Sequence, residues 1–255
     1  MQYLLILLIP FIARWVVRFH QTGSLFPAFF LSAKHKAFLA KNFQFYQKLP
    51  PQSKQMFERR VALFISSKKF IPREMEQVVW EMKVLISASA IQLTFGFPKI
   101  RLRWFRYILV FPNTFFSQAN QQHHKGEVNP KAKTIVLSWK YFVEGYLKSD
   151  GRNLGLHEMA HALRLENRIM NDEYDFLDHK ILEKWEVHAQ HTMQEIKNGT
   201  EEFFRKYGSA NNEEFFAVAV ENFFERPLEF KDRHPLTYQT LCQLLKQDPV
   251  LLEKT

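Results

Sequence analysis

Two histidines four residues apart are the first feature of this chain that could do chemistry. They bracket a glutamate in Leu154-Gly155-Leu156-His157-Glu158-Met159-Ala160-His161-Ala162-Leu163, an HExxH pattern. On a helix, positions four apart share a face, so His157 and His161 can aim their imidazoles at one ion while Glu158 stands beside it. Two neutral imidazole nitrogens at ~2.0–2.1 Å suit Zn²⁺, and one further ligand leaves a fourth position for a water whose pKa falls toward ~7. Glu158 is then the base that takes that water's proton. Chance would produce the pattern on the order of 0.02 times in a chain with this histidine content. The plain alternative is a pair of helix histidines satisfied by packing. The flanking residues are uncharged, as a buried metal helix requires, and Ser149-Asp150-Gly151 just before it is a region where a helix can start.

A third ligand must come from elsewhere. A metzincin continues HExxHxxGxxH, but Arg164 holds the glycine position and Asn167 that of the last histidine, so that class fails. A distant glutamate is the other common solution. The candidates are Glu183, Glu186, Glu202 and Glu214, with His179, His188 and His191 as imidazole substitutes. Composition separates them. Glu202 leads through Phe203-Phe204 to Arg205-Lys206, a wet face, whereas Glu214 opens the apolar run Phe215-Phe216-Ala217-Val218-Ala219-Val220. A carboxylate in such a run needs a cation. A metal would supply it. The competing role for Glu214 is a capping box, reaching back to Asn211.

These residues also carry a resemblance. The HExxH segment, a long spacer, and then Tyr207-Gly208-Ser209-Ala210-Asn211-Asn212-Glu213-Glu214-Phe215-Phe216-Ala217-Val218 resemble the Mlc titration factor A family of zinc-dependent peptidases. The catalytic domain of anthrax-type lethal factor has a similar Tyr-to-Glu-Phe-Phe-Ala segment. The similarity extends to Leu93-Thr94-Phe95-Gly96-Phe97-Pro98, to Val136-Leu137-Ser138-Trp139 and to Phe223-Phe224-Glu225-Arg226-Pro227, and so covers about residues 85–250. It implies one zinc ion held by His157, His161 and Glu214, with Glu158 as base and Tyr207 as a phenol that donates to the oxyanion of the reacting carbonyl. Packing on the core is the competing role for Tyr207. At one position the chain departs from the lethal factor pattern: Val218 stands where that pattern has an acidic residue able to support a metal ligand, so such support must come from another residue or be missing. The implied fold is α+β, a mostly helical zincin-like (gluzincin) metallopeptidase domain with a small sheet beside the HExxH helix. The implied substrate is a peptide or protein. The family's name adds a rival from a different class, a zinc-stabilised binding protein that sequesters a transcription regulator.

Elements must position these groups. Apolar residues at helical spacing between positions 27 and 85, among them Phe38, Phe57, Val61 and Phe64, predict a helical scaffold over about 21–92, broken at Pro50-Pro51. Residues 106–112 and 133–139 predict two strands that pair, and helices return after Gly151. The alternation Lys99-Ile100-Arg101-Leu102-Arg103-Trp104 reads as a half-buried strand. Ser138 and Trp139 would end a strand running along the cleft, able to accept an extended peptide by strand addition. The segment His123-His124-Lys125-Gly126-Glu127 reads as a solvated loop, with a place near the metal as the alternative.

Composition bounds the remainder. The chain has 255 residues, 46% hydrophobic and 24% charged with 26 Phe, which excludes disorder and suits one domain over 21–255 with its catalytic part from about 93. No GxGxxG or GxxxxGK[ST] occurs, so phosphate-cradling chemistry has no support. The lone Cys242 fits a reducing compartment, the cytoplasm. A formal charge of +9 is spread over scattered clusters with no nucleic-acid motif, which argues against nucleic acid as a partner. Residues 1–20 read as an apolar N-terminal helix. Its ~15 apolar residues would reach only ~22 Å against a ~30 Å hydrocarbon core, and two readings stand: a tether to the inner face of the membrane, or a helix packed on the domain.

Overall fold

The computed structural model describes residues 30–117 and 121–254. The apolar run of residues 1–20, with its membrane expectation, lies outside them. No described helix is long and apolar enough to cross a membrane.

The scaffold begins with α1 (Ala33–Asn42), α2 (Gln44–Lys48) and α3 (Pro51–Ser67). Pro51 occupies the first turn of α3, where its missing N–H costs nothing, and Phe57, Val61 and Phe64 recur at helical spacing to form its buried face. On that face Arg60 reaches α4 (Trp80–Thr94), where Nη2 donates to the Thr94 carbonyl at 2.7 Å and to that of Phe97 at 3.0 Å, closing the end of the helix. The middle of α4 is buried on every side. Its small residues Ser87, Ala88, Ser89 and Ala90 let neighbouring helices approach closely.

Between α3 and α4 lies β1 (Lys69–Pro72), a strand inside the segment read as purely helical. It pairs in parallel with β2 (Tyr107–Phe111), which pairs in parallel with β6 (Thr134–Ser138); β5 (Gly126–Asn129) closes the other side antiparallel, giving the order β1-β2-β6-β5. The two strands expected from sequence do pair, in register from Tyr107↔Thr134 to Phe111↔Ser138. β6, however, lies inside the sheet, so it cannot offer an open edge to a peptide. That edge belongs to β5, and Trp139 opens the next helix, α5 (Trp139–Leu147), stacked on Phe142. The His123-His124 segment is not a loop: it forms β4 (Gln122–His124), which pairs antiparallel with β3 (Phe115–Ser117) as a separate two-stranded sheet and leads into β5.

Residues 99–104 form no strand. Buried carboxylates take the backbone donors that a ladder would have used. The amides of Arg101 and Arg103 donate to Glu173 and that of Trp104 to Glu166, while Lys68 Nζ donates to the Leu102 carbonyl at 2.6 Å.

The remaining helices are α6 (Leu154–Arg168), α7 (His179–Asn198), α8 (Asn212–Glu225), α9 (Pro227–Arg233) and α10 (Pro235–Leu245), with short 3-10 helices at Lys206–Ser209 and Pro249–Lys254. α6 starts at Asn153, whose side chain accepts from the Leu156 amide, slightly later than the Ser149-Asp150-Gly151 signal suggested. It packs against α4, α5, α8 and the β5–β6 edge. Gly155 permits this closeness, since a Cβ there would stand 2.6 Å from the Phe142 ring and 2.9 Å from Ser89 Oγ.

Candidate metal centre

α6 turns His157, Glu158 and His161 toward α8, and α8 turns Glu214 back. Asn211 caps α8 by accepting from the amides of Glu213 and Glu214, which leaves the Glu214 carboxylate free to point at the histidines instead of back at the cap. His157 Nε2 lies 3.1 Å from His161 Nε2 and 3.2 Å from Glu214 Oε2, and the latter is 3.5 Å from His161 Nε2. A tetrahedral zinc site with ligands at ~2.0–2.1 Å has ligand-to-ligand edges of about 3.3–3.4 Å. The three observed edges fit one face of such a tetrahedron. Among the described residues, this is the group of three that could hold a metal ion.

Electrostatics point the same way. His157 Nδ1 is 2.7 Å from Glu221 Oε1 and 3.3 Å from Arg205 Nη2, and the shorter contact, to an acceptor, assigns the ring proton to Nδ1. The lone pair of Nε2 then faces a second imidazole nitrogen and a carboxylate oxygen. Glu214 Oε2 is itself buried without a hydrogen bond of sound geometry among the described residues. Acceptors converging in this way require a cation between them, either a proton or a metal. Burial of the ring opposes charge on His157, but the carboxylates of Glu214 and Glu221 outweigh it and raise its pKa to about 10. Burial likewise opposes the Glu214 carboxylate, yet His157 and His161 hold its pKa well below the usual range.

Glu158 is buried close to His157, His161 and Glu214. Burial raises its pKa, with His157 and His161 pulling the other way. Its Oε1 would lie 2.3 Å from a Cβ on Gly126, so the bare backbone of β5 is what lets the sheet edge come up to this carboxylate. Tyr207, on the 3-10 turn before α8, places its ring 6.2 Å from that of His157 and is 54% exposed, which rules out the packed-aromatic reading. Partial desolvation and the neighbouring Glu214 push its pKa up to about 12.

The other third-ligand candidates sit elsewhere. His179 pairs with Asp175, His191 with Glu195 and Glu186 with Arg164, while Glu183 and Glu202 are exposed. The positions at which the metzincin pattern fails are structural. Buried Arg164 pairs with Glu213, and Asn167 Oδ1 accepts the Leu177 amide.

Sequence reasoning missed the support beneath His157. Val218 packs beneath Gly208, and the acidic partner stands one turn further on, at Glu221, which is 1% exposed. Glu221 accepts His157 Nδ1–H, the Asn153 amide at 2.6 Å, and both arms of Arg205 at 2.6 and 2.8 Å. Arg205 was expected on a wet face; instead its guanidinium lies against Glu221, as a buried carboxylate demands. The signal was present: Glu221 is an acid within the apolar run, seven residues after Glu214 and therefore on the same helix face.

Residues 22–246 match the model of the family described as glucose-regulated metallo-peptidase M90. The chain belongs to that family. Among curated relatives of this M90 chain, an uncharacterized protein of Synechocystis is 26% identical over 232 residues, covering 85% of the chain and 84% of the relative. Mlc titration factor A of Yersinia pestis and of Yersinia pseudotuberculosis are each 28% identical over 183 residues, 64% of the chain and 67% of the relative. The resemblance drawn from the HExxH and Tyr207–Val218 segments therefore holds, and a metallopeptidase-type family accounts for a donor set able to take a metal.

Proposed function

We propose that this chain is a zinc-dependent peptidase of the zincin-like gluzincin kind, hydrolysing peptide bonds with a metal-activated water. The observation that carries the reading is the triangle of His157 Nε2, His161 Nε2 and Glu214 Oε2, with the Glu158 carboxylate beside it. Two imidazoles and one carboxylate form a borderline donor set suited to zinc, and they leave an open position. When bound there, zinc would polarise the scissile carbonyl and lower the pKa of a water toward ~7.

The chain's own residues supply the other parts. Glu158 accepts the water's proton and passes it to the leaving amine, and its raised pKa brings it closer to that task at neutral pH. Tyr207, protonated at any physiological pH and open to solvent, donates to the oxyanion. Arg205 and Glu221 hold the His157 ring in one tautomer and orientation. An extended peptide would add as a strand along β5, whose outer edge is unpaired in the sheet order. The domain would span residues 21–255 and work in the cytoplasm, with residues 1–20 as a tether to the inner face of the membrane.

One finding favours a second reading. Two of the relatives bear the name Mlc titration factor A, which points to binding a regulator rather than cutting it. A binding module has no use for a base between its histidines, so Glu158→Gln separates the two. The peptidase reading predicts a fall in hydrolysis of about 10³-fold or more with zinc retained. Unchanged hydrolysis in that zinc-loaded variant would sink it.

A further inference from the structure

Behind the start of α6, on the side away from the histidines, a cavity of about 250 Å³ opens between α1, α5 and the end of α8. Its deep part is acidic and polar. Glu225 lines it, with Oε2 accepting the amides of Gly151 at 2.8 Å and Arg152 at 3.2 Å, and Oε1 accepting only Asn153 Nδ2 at 3.0 Å. A carboxylate has about four lone-pair sites, so Oε1 keeps one open. No described residue forms an ion pair with Glu225, and the anionic Glu221 and Asp150 act on it unfavourably. Burial and these neighbours push its pKa up to about 7. Gln92 and Tyr146 also line the cavity, but Gln92 Oε1 and Tyr146 Oη are sealed from solvent and offer a ligand no acceptor. The rim is the opposite: Lys41 and Lys148 are exposed and make no ion pair with a described carboxylate.

We propose that this cavity binds a free α-amino acid, its ammonium group on Glu225 Oε1 and its carboxylate toward Lys41 and Lys148. A carboxylate with an open lone-pair site and no ion-pair partner among the described residues calls for a cationic donor, and a lysine rim calls for an anion. The volume is below the roughly 300–1,000 Å³ of drug-sized sites, which suits one small zwitterion. Phe45, Leu156 and Phe224 provide apolar wall for a short side chain. The proposal does not depend on the peptidase reading, because no residue of the metal centre takes part.

Calorimetric titration of the full chain with glycine, L-alanine and L-leucine tests it, with N-acetyl-L-alanine, L-alaninamide and glycerol as controls. Repeating the titration in a Glu214→Ala background keeps metal-centred binding apart. The expected result is saturable binding in both backgrounds, with each blocked form weaker by about tenfold or more and glycerol not bound. Glu225→Gln should weaken L-alanine by about tenfold or more. Lys41→Ala/Lys148→Ala, which alters only exposed residues, should weaken L-alanine several-fold but leave L-alaninamide unchanged. Absence of saturation up to about 50 mM would overturn the proposal. So would equal binding of the blocked forms or of glycerol, or wild-type affinity in Glu225→Gln. If Glu225→Gln does not fold, the rim variant decides, and unchanged L-alanine affinity there overturns the proposal.

Discussion

At the C-terminal end of α6, the Trp104 amide donates to Glu166 at 3.0 Å and Asn171 Nδ2 donates at 2.8 Å; beside it Glu173 takes the Arg101 and Arg103 amides and the Arg103 guanidinium. In the N-terminal half of the same helix, His157 and His161 meet each other and Glu214 at similar distances, yet no donor among the described residues settles Glu214 Oε2. Both regions bury charge. One is closed by protein groups and holds the loop 97–104 in place, and its cations bear the cost of burial: Lys68 is pushed down to about 8 and Arg60 to about 10. The other is open at a point where three acceptors converge. Burial of polar groups therefore does not by itself mark a site, whereas convergence without donors does.

The contrast can be broken at either end. The largest effect is expected at the closed cluster. Glu173→Ala leaves two backbone donors and Arg103 without their acceptor and should destabilise the fold by about 3–5 kcal/mol, read as a lowered denaturation midpoint. A loss below about 0.5 kcal/mol would mean that the cluster is not what holds the loop.

Next comes Tyr207, which touches the open region and little else. Tyr207→Phe should lower kcat about 10²-fold, with KM, zinc content and melting temperature little changed. Wild-type turnover would remove Tyr207 from the reaction and leave the metal-binding argument intact.

The smallest effect belongs to the link between the two kinds of environment. Glu221 is closed like Glu173 but serves the open site through His157. Glu221→Gln should weaken zinc affinity by about 10–100-fold while the chain remains folded. Unaltered affinity in a chelator competition would show that the His157 orientation does not depend on this carboxylate.

Much of the candidate site was legible because helical spacing is short-range. A spacing of four from His157 to His161, and an acid opening an apolar run at Glu214, require no knowledge of the distant chain. The same rule extended by seven residues would have exposed Glu221, but Val218 drew attention to the wrong turn. Arg205 was not legible, because a basic pair after two phenylalanines looks solvated until its acidic partner is known. The fold followed the same division. The helices and the β2–β6 pair were readable from periodicity, while β1 was too short to stand out beside α3. The apparent strand at 99–104 failed because the amides of Arg101, Arg103 and Trp104 find carboxylates some 60 to 70 residues later in the chain, a long-range term that alternation cannot reveal. The open edge moved from β6 to β5 for a topological reason: strand order is not written in local pattern.

Metal content tests the central claim most directly. Elemental analysis of the purified protein beside Glu214→Ala, Glu202→Ala and Glu183→Ala should find one zinc per chain in the wild type and in the last two. In Glu214→Ala it should find no more than about a tenth of that. Full zinc occupancy in Glu214→Ala would contradict the account, because the converging acceptors of His157, His161 and Glu214 would then not be what holds the metal.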